Sequence, residues 1–177
     1  LSLRNNTNGT ENTGLGYNVL NANTTGSQNT AFGNEALRGN IDGISNVSMG
    51  YMSLANNSIG NVNTALGSFS LSSSSTGDFN VAVGYKALQN NVNGYRNIAI
   101  GSLSGTHGNT PNLYNTISIG NDDILNAYQN QAFIGNTSTQ WIGGQTTWHT
   151  YSDARIKNHI QEDVKGLDFI TRLRPVT

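Results

Sequence analysis

Cysteine is absent from this chain, and proline occurs only twice in 177 residues. Without thiols there is no disulfide staple and no thiolate metal site, although that alone does not fix a compartment. Charge is scarce as well: 11% of the residues are charged and the formal net charge is −1. No basic stripe exists to release counterions, so neither nucleic acid nor an anionic membrane surface is an expected partner. No apolar run reaches the ~18 residues that a membrane-spanning helix needs, and the chain is not expected to span a bilayer. Low hydropathy without high net charge also fails the usual signature of disorder.

What the chain has instead is Asn and Gly, 28 and 21 of them. They fall in a recurring phrase of Asn, a small or β-branched residue, a small residue, a large apolar residue and Gly. It reads NTGLG at 12–16, NTAFG at 29–33 and NVSMG at 46–50, then NTALG at 63–67, NVAVG at 80–84 and NIAIG at 97–101. The leading residue is Asn12, Asn29, Asn46, Asn63, Asn80 and Asn97, an unvarying 17-residue period with no insertion. So strict a period predicts stacked, near-identical coils. Other columns keep the same beat: Leu20, Leu37, Leu54, Leu71 and Leu88, and Gly9, Gly26, Gly43, Gly60, Gly77 and Gly94. A second Asn column runs through Asn23, Asn40, Asn57 and Asn91, with Ser74 replacing Asn once. Each column becomes a ladder at strand spacing, ~4.8 Å.

Alternation along the phrase separates two faces. The large column (Leu15, Phe32, Met49, Leu66, Val83, Ile100) is expected to line the interior with the Leu column. The small column (Gly14, Ala31, Ser48, Ala65, Ala82, Ala99) permits close approach of another backbone. Gly and Asn are expected to supply the positive-φ turns. One narrow coil buries too few apolar groups to offset the entropy of ordering it. An obligate oligomer is therefore expected, with apolar surface buried between chains.

The rhythm loosens after 108. TISIG (116–120) closes at Gly120, two positions late against Gly101, and AFIG (132–135) closes at Gly135, two positions early against Gly120. Both read as strands, with Trp141, Ile142 and Trp148 expected to seal the end of the stack. From Ser152 the composition changes: nine of the 19 charged residues lie in the last 26 positions. Leu167, Ile170 and Leu173 take helical spacing there. The expected organisation is regular repeats over 1–108, an irregular β transition over 109–151, and a separate module over 152–177. Leu3, Asn6 and Gly9 already occupy repeat positions, so the array is expected to enter mid-coil and the sequence to be part of a longer one.

The tail carries a resemblance. Ser152-Asp153, Arg155, Lys157 and Ile160, followed by GLDFITRLRPV (166–176), resemble the opening of the intramolecular chaperone domain of endosialidase-type phage tailspikes and tail fibres. IGNTSTQWIGG (134–144) is similar to the stretch preceding that domain. The Asn-x-Ala-x-Gly coils resemble the head repeats of trimeric autotransporter adhesins, which build a three-chain left-handed β-roll. The chaperone resemblance implies a homotrimer whose C-terminal domain templates folding and is released by a Ser–Lys dyad, matched here by Ser152 and Lys157. That chemistry requires a neutral Lys amine to take the Ser proton, hence a Lys whose pKa burial has lowered.

Other sites are weaker. Adjacent carboxylates at Asp122-Asp123 point to opposite sides of a strand, unlike a glycosidase pair, and read as a solvated turn. His107, His149 and His159 lack metal-ligand spacing. Asp42 and Asp78 are too isolated for a calcium-binding roll. The glycosylation sequons at Asn8, Asn23 and Asn136 follow from composition. An ice-binding solenoid would need a uniform Thr ladder, whereas the relevant column reads Thr13, Thr30, Val47, Thr64, Val81, Ile98.

The expectation is therefore an all-β, 17-residue-repeat β-solenoid (β-roll) in a parallel homotrimeric fibre, ending in a short α-containing chaperone stub. Its expected role is structural and receptor-binding, on an extracellular appendage or virion surface, with a glycan or surface protein as receptor. The alternative is a self-processing precursor using Ser152 and Lys157, and a minor one is an ice-binding or carbohydrate-binding solenoid. At most the chain is autoproteolytic, and no metal or cofactor is expected.

Overall fold

The computed structural model describes residues 2–105, 112–121 and 128–142. These lie within the unit Leu1–Ile142 and form an all-β solenoid of about six turns. Eight three-residue strands stack in chain order: β1 (Thr13–Leu15), β2 (Thr30–Phe32), β3 (Val47–Met49), β4 (Thr64–Leu66), β5 (Val81–Val83), β6 (Ile98–Ile100), β7 (Ile117–Ile119) and β8 (Ala132–Ile134). Every neighbouring pair is parallel. Thr64 faces Val81, Ala65 faces Ala82 and Leu66 faces Val83, so the 17-residue period is the sheet register itself. The loosened spacings hold too. Ala99 pairs with Ser118 across the longer step, and Ser118 with Phe133 across the shorter one. Among the described residues there is no helix; the helical spacing at 167–173 lies outside them.

The two faces of the phrase are assigned the opposite way from expectation. Ala31, Ala65, Ala82 and Ala99 are fully buried, as is Ser48. The large residues flanking them point outward: Leu15, Met49 and Ile100 are exposed, and Phe32, Leu66 and Val83 are half-buried. The reason is volume. The coil interior already holds the Leu column, with Leu20, Leu37, Leu54, Leu71 and Leu88 all fully buried. Two side-chain ladders of Asn and the small residues Val19, Ala36, Ser53, Ser70 and Ala87 complete it. A second large column would overpack so narrow a core, so the strand turns its Ala inward.

The turns also differ from expectation. Gly16, Gly33, Gly50, Gly67, Gly84 and Gly101 do take positive φ, between 122° and 138°. Most other left-handed positions are not Gly or Asn. The buried Leu column sits at φ 47–51°, the column Glu35, Met52, Phe69, Lys86 at 53–60°, and Gln28, Ser45, Val62, Phe79, Arg96 at 56–62°. Such conformations cost about 1–2 kcal/mol each for an L-residue. Hydrogen bonds to the adjoining coil hold them: Leu37 N–H donates to Ser53 O at 3.0 Å, and Leu54 N–H to Ser70 O at 3.0 Å. The Gly column of Gly26, Gly43 and Gly60 serves close approach instead. A Cβ at Gly43 would lie 2.5 Å from Gly60 O and 2.3 Å from Asn40 Oδ1.

The expected seal at the far end is not made by Trp141. Its side chain is 90% exposed and Ile142 is exposed beside it. A tight turn closed by Thr139 N–H donating to Asn136 O (3.0 Å) follows β8 directly, and no further described strand covers the indole. Trp148 lies outside the described residues.

Candidate functional site: two internal ladders and an apolar outer face

The leading Asn column forms an unbroken internal ladder. Asn63 Oδ1 accepts from Asn80 N–H (3.0 Å) and Asn80 Nδ2–H (3.1 Å), while Asn80 Nδ2 also donates to Gly94 O (2.8 Å). The same set recurs at Asn29 and Asn46. At the last rung Thr116 stands in for Asn, giving its N–H (3.0 Å) and hydroxyl (2.8 Å) to Asn97 Oδ1. These side chains are buried from Asn29 onward. They are structural polar groups, paired as buried carboxamides must be.

The second column is shorter. Asn23, Asn40 and Asn57 each donate Nδ2–H to the Oδ1 one coil earlier at 2.7 Å. Each also donates to the Gly O three residues on, at 2.8–3.0 Å. Asn23 is thereby committed and buried, which removes that sequon as a surface acceptor; Asn8 is exposed and Asn136 half-buried. Asp42 and Asp78 belong to similar turn ladders. Asp42 accepts from the Thr25 hydroxyl, and Asp78 from Asn61 N–H at 2.6 Å.

The outer face has a different chemistry. Each strand presents two side chains there: Thr13 and Leu15, Thr30 and Phe32, Val47 and Met49, Thr64 and Leu66. Val81 and Val83, Ile98 and Ile100, Ile117 and Ile119, and Ala132 and Ile134 continue the series. Three of the first four rungs pair Thr with a large apolar residue; from β5 onward every outward residue is aliphatic. Eight rungs at ~4.8 Å make a stripe about 34 Å long. The Thr column expected of an ice template lies on this face and is interrupted by Val47, Val81 and Ile98.

Beside the stripe runs an aromatic ridge that the sequence expectations do not include. Tyr51 and Phe69 meet edge to face with ring centroids 5.1 Å apart, and Phe69 meets Tyr85 at 6.4 Å. Lys86 Nζ lies 5.2 Å from the Tyr85 ring centroid. A signal is there to be found: Tyr17, Tyr51 and Tyr85 recur every second coil. Tyr95 and Tyr114 stack at 5.0 Å farther along. Among the described residues the charged side chains form one ion pair, Arg38 to Glu35 at 2.7 Å.

Ser152 and Lys157 lie outside the described residues, as do Asp122, Asp123, His107, His149 and His159. Among the described residues no group of three His, Cys, Asp or Glu could hold a metal ion, and no helix is long and apolar enough to cross a membrane. No protein-family model, curated protein or solved structure matches the chain.

Proposed function

We propose that this chain is the repeat-bearing part of a trimeric fibre in which three parallel copies meet along the outer apolar stripe. The observation that carries this reading is the stripe itself. A soluble chain rarely leaves a continuous apolar face of this length uncovered. A second and third copy of the same chain suit it well. Parallel copies rotated about an axis that runs along the stack would meet rung for rung, because every rung repeats at one spacing. A net charge of only −1 sets up little repulsion between them. The aliphatic half from β5 to β8 is the tighter part of this interface, and the Thr-bearing half the looser.

In this reading the fibre stands on an extracellular appendage or virion surface. The aromatic ridge is the surface offered to a glycan or surface-protein receptor. The tail from Ser152 directs trimer folding, as its resemblance to the chaperone family implies. A second reading, carried by the phrase SDARIK at 152–157, adds one self-cleavage by Ser152 and Lys157. Sedimentation equilibrium of the full chain tests the assembly: three times the chain mass is expected, and a stable folded monomer would overturn it.

A further inference from the structure

The second Asn ladder fails at one rung, and the failure leaves a defined pattern of polar atoms. Ser74 occupies the position where an Asn would stand. Its hydroxyl finds no protein partner, and neither does Asn57 Oδ1 one coil earlier. One coil later, Asn91 Nδ2 donates to Gly94 O at 3.0 Å but makes no rung bond like the 2.7 Å bonds of Asn23, Asn40 and Asn57. Asn91 Oδ1 is unpartnered too. Gly77 O receives Asn63 Nδ2–H at 2.7 Å but lacks the second donor that Gly26, Gly43 and Gly60 receive from their own coil's Asn. Asn57, Ser74 and Asn91 are all fully buried.

We propose that this rung is a binding site for a single structural water, held among Asn57, Ser74 and Gly77. The argument is a count of donors and acceptors. The carboxamide of an Asn at 74 would give one N–H to Asn57 Oδ1 and one to Gly77 O, and its oxygen would accept from Asn91 Nδ2. Water has two O–H donors and two lone pairs. Standing where the nitrogen of that carboxamide would be, it donates to Asn57 Oδ1 and Gly77 O and accepts from the Ser74 hydroxyl, while Asn91 Nδ2, one strand spacing (~4.8 Å) farther along, keeps its bond to Gly94 O. Asn57 Oδ1, Gly77 O and the Ser74 hydroxyl are then satisfied together, which no rotation of the Ser74 hydroxyl alone achieves.

Space agrees with chemistry. The serine side chain has two fewer heavy atoms than that of asparagine and ends one bond sooner. An ideal Cβ built on Gly77 lies 3.2 Å from Ser74 Oγ, whereas those on Gly26, Gly43 and Gly60 lie 2.4, 2.3 and 2.4 Å from the Asn oxygen of their coil. The Ser oxygen thus stands back from the place the Asn oxygens occupy. Immobilising one water costs less than leaving a buried carbonyl and hydroxyl unpaired. In a stack whose stability is a sum of coil and interface terms, a rung joined through water is the place where neighbouring coils are least tightly tied.

Crystals of the full chain and of Ser74→Asn test the site. In the native chain a density peak is expected about 2.6–3.2 Å from both Asn57 Oδ1 and Ser74 Oγ. In Ser74→Asn the peak should vanish, the new carboxamide should join the ladder, and the thermal midpoint should rise by about 2–6 °C. Ser74→Ala should keep the peak with one partner fewer and lower the midpoint. A native rung without density, at a resolution that shows other buried waters, would overturn the proposal. So would a peak that persists beside the new carboxamide, or a fall in the midpoint of Ser74→Asn.

Discussion

The two Asn ladders run through the same coils and differ in how they are tied. In the leading ladder each carboxamide oxygen accepts the backbone N–H of the next coil as well as a side-chain donor at most rungs, and the run from Asn12 to Thr116 has no gap. In the second ladder each Asn ties only to a neighbouring side chain and to a Gly carbonyl in its own coil, and Ser74 interrupts it. The lesson concerns tolerance. A substitution is survivable where side chains alone carry the tie. Where the strand's own N–H depends on the side chain, the same substitution orphans the backbone as well.

Cutting each ladder once measures that difference. Asn63→Ala leaves Asn80 N–H without its acceptor and strips bonds from Asn46 and Gly77. We expect a loss of about 3–5 kcal/mol in urea unfolding, the largest effect of any single substitution considered for the coils. Asn57→Ala, beside a rung already broken, should cost about 1–3 kcal/mol. Equal losses would show that the backbone tie is not what separates the ladders.

The inner and outer sides of one strand give the next contrast. Ala82→Leu drives a large side chain into the filled interior and should cost about 1–3 kcal/mol, visible as a lower thermal midpoint. Val83→Ala, one residue on and facing outward, should barely move the unfolding of a single chain. Val83→Glu combined with Ile100→Glu should instead lower the assembly mass while circular dichroism keeps its β signature. A trimer unaffected by two carboxylates on the stripe would remove this face from the interface. The smallest effect on the coils is expected from Ser152→Ala: an unchanged solenoid midpoint, with any scission of the full chain abolished on gels. Scission that survives in both Ser152→Ala and Lys157→Ala would take the dyad out of the account.

Much of the fold is legible in the sequence because a period is a geometric statement. Repetition at a fixed interval dictates the register, and the shifted phrases TISIG and AFIG still mark β7 and β8. The Leu column reads as core from its spacing and is core in the fold. Alternation gives the parity of each strand but not its sign, since Val81, Ala82 and Val83 are all apolar and hydropathy alone favours burying the larger pair. Only the volume already claimed by Leu71 and Leu88 decides for Ala82. The left-handed columns are hidden for another reason. Leu54, Phe69 and Gln28 have no intrinsic preference for that conformation, which the adjoining coil imposes through its carbonyls. The aromatic ridge is hard to see because Tyr51 and Phe69 occupy different positions of the repeat and meet only when coils stack. For the candidate sites, Asn23 shows the limit: a sequon in sequence, it is a committed rung in the fold.

The register has one further consequence, for length. Each coil of this stack pairs only with the coil before and the coil after, so the sequence separation between contacting residues stays at one repeat however many coils are added. A globular domain that doubles in size must find new long-range contacts, while this architecture repeats the old ones. Each Asn Oδ1 of one coil accepts N–H groups of the next, while strand and turn N–H groups of the earlier coil donate to carbonyls of the later one, so every added coil meets the same set of ties. Reach is thereby uncoupled from folding difficulty. Duplicating one repeat unit extends the shaft by one strand spacing, ~4.8 Å, and leaves the folding problem of every coil as it was.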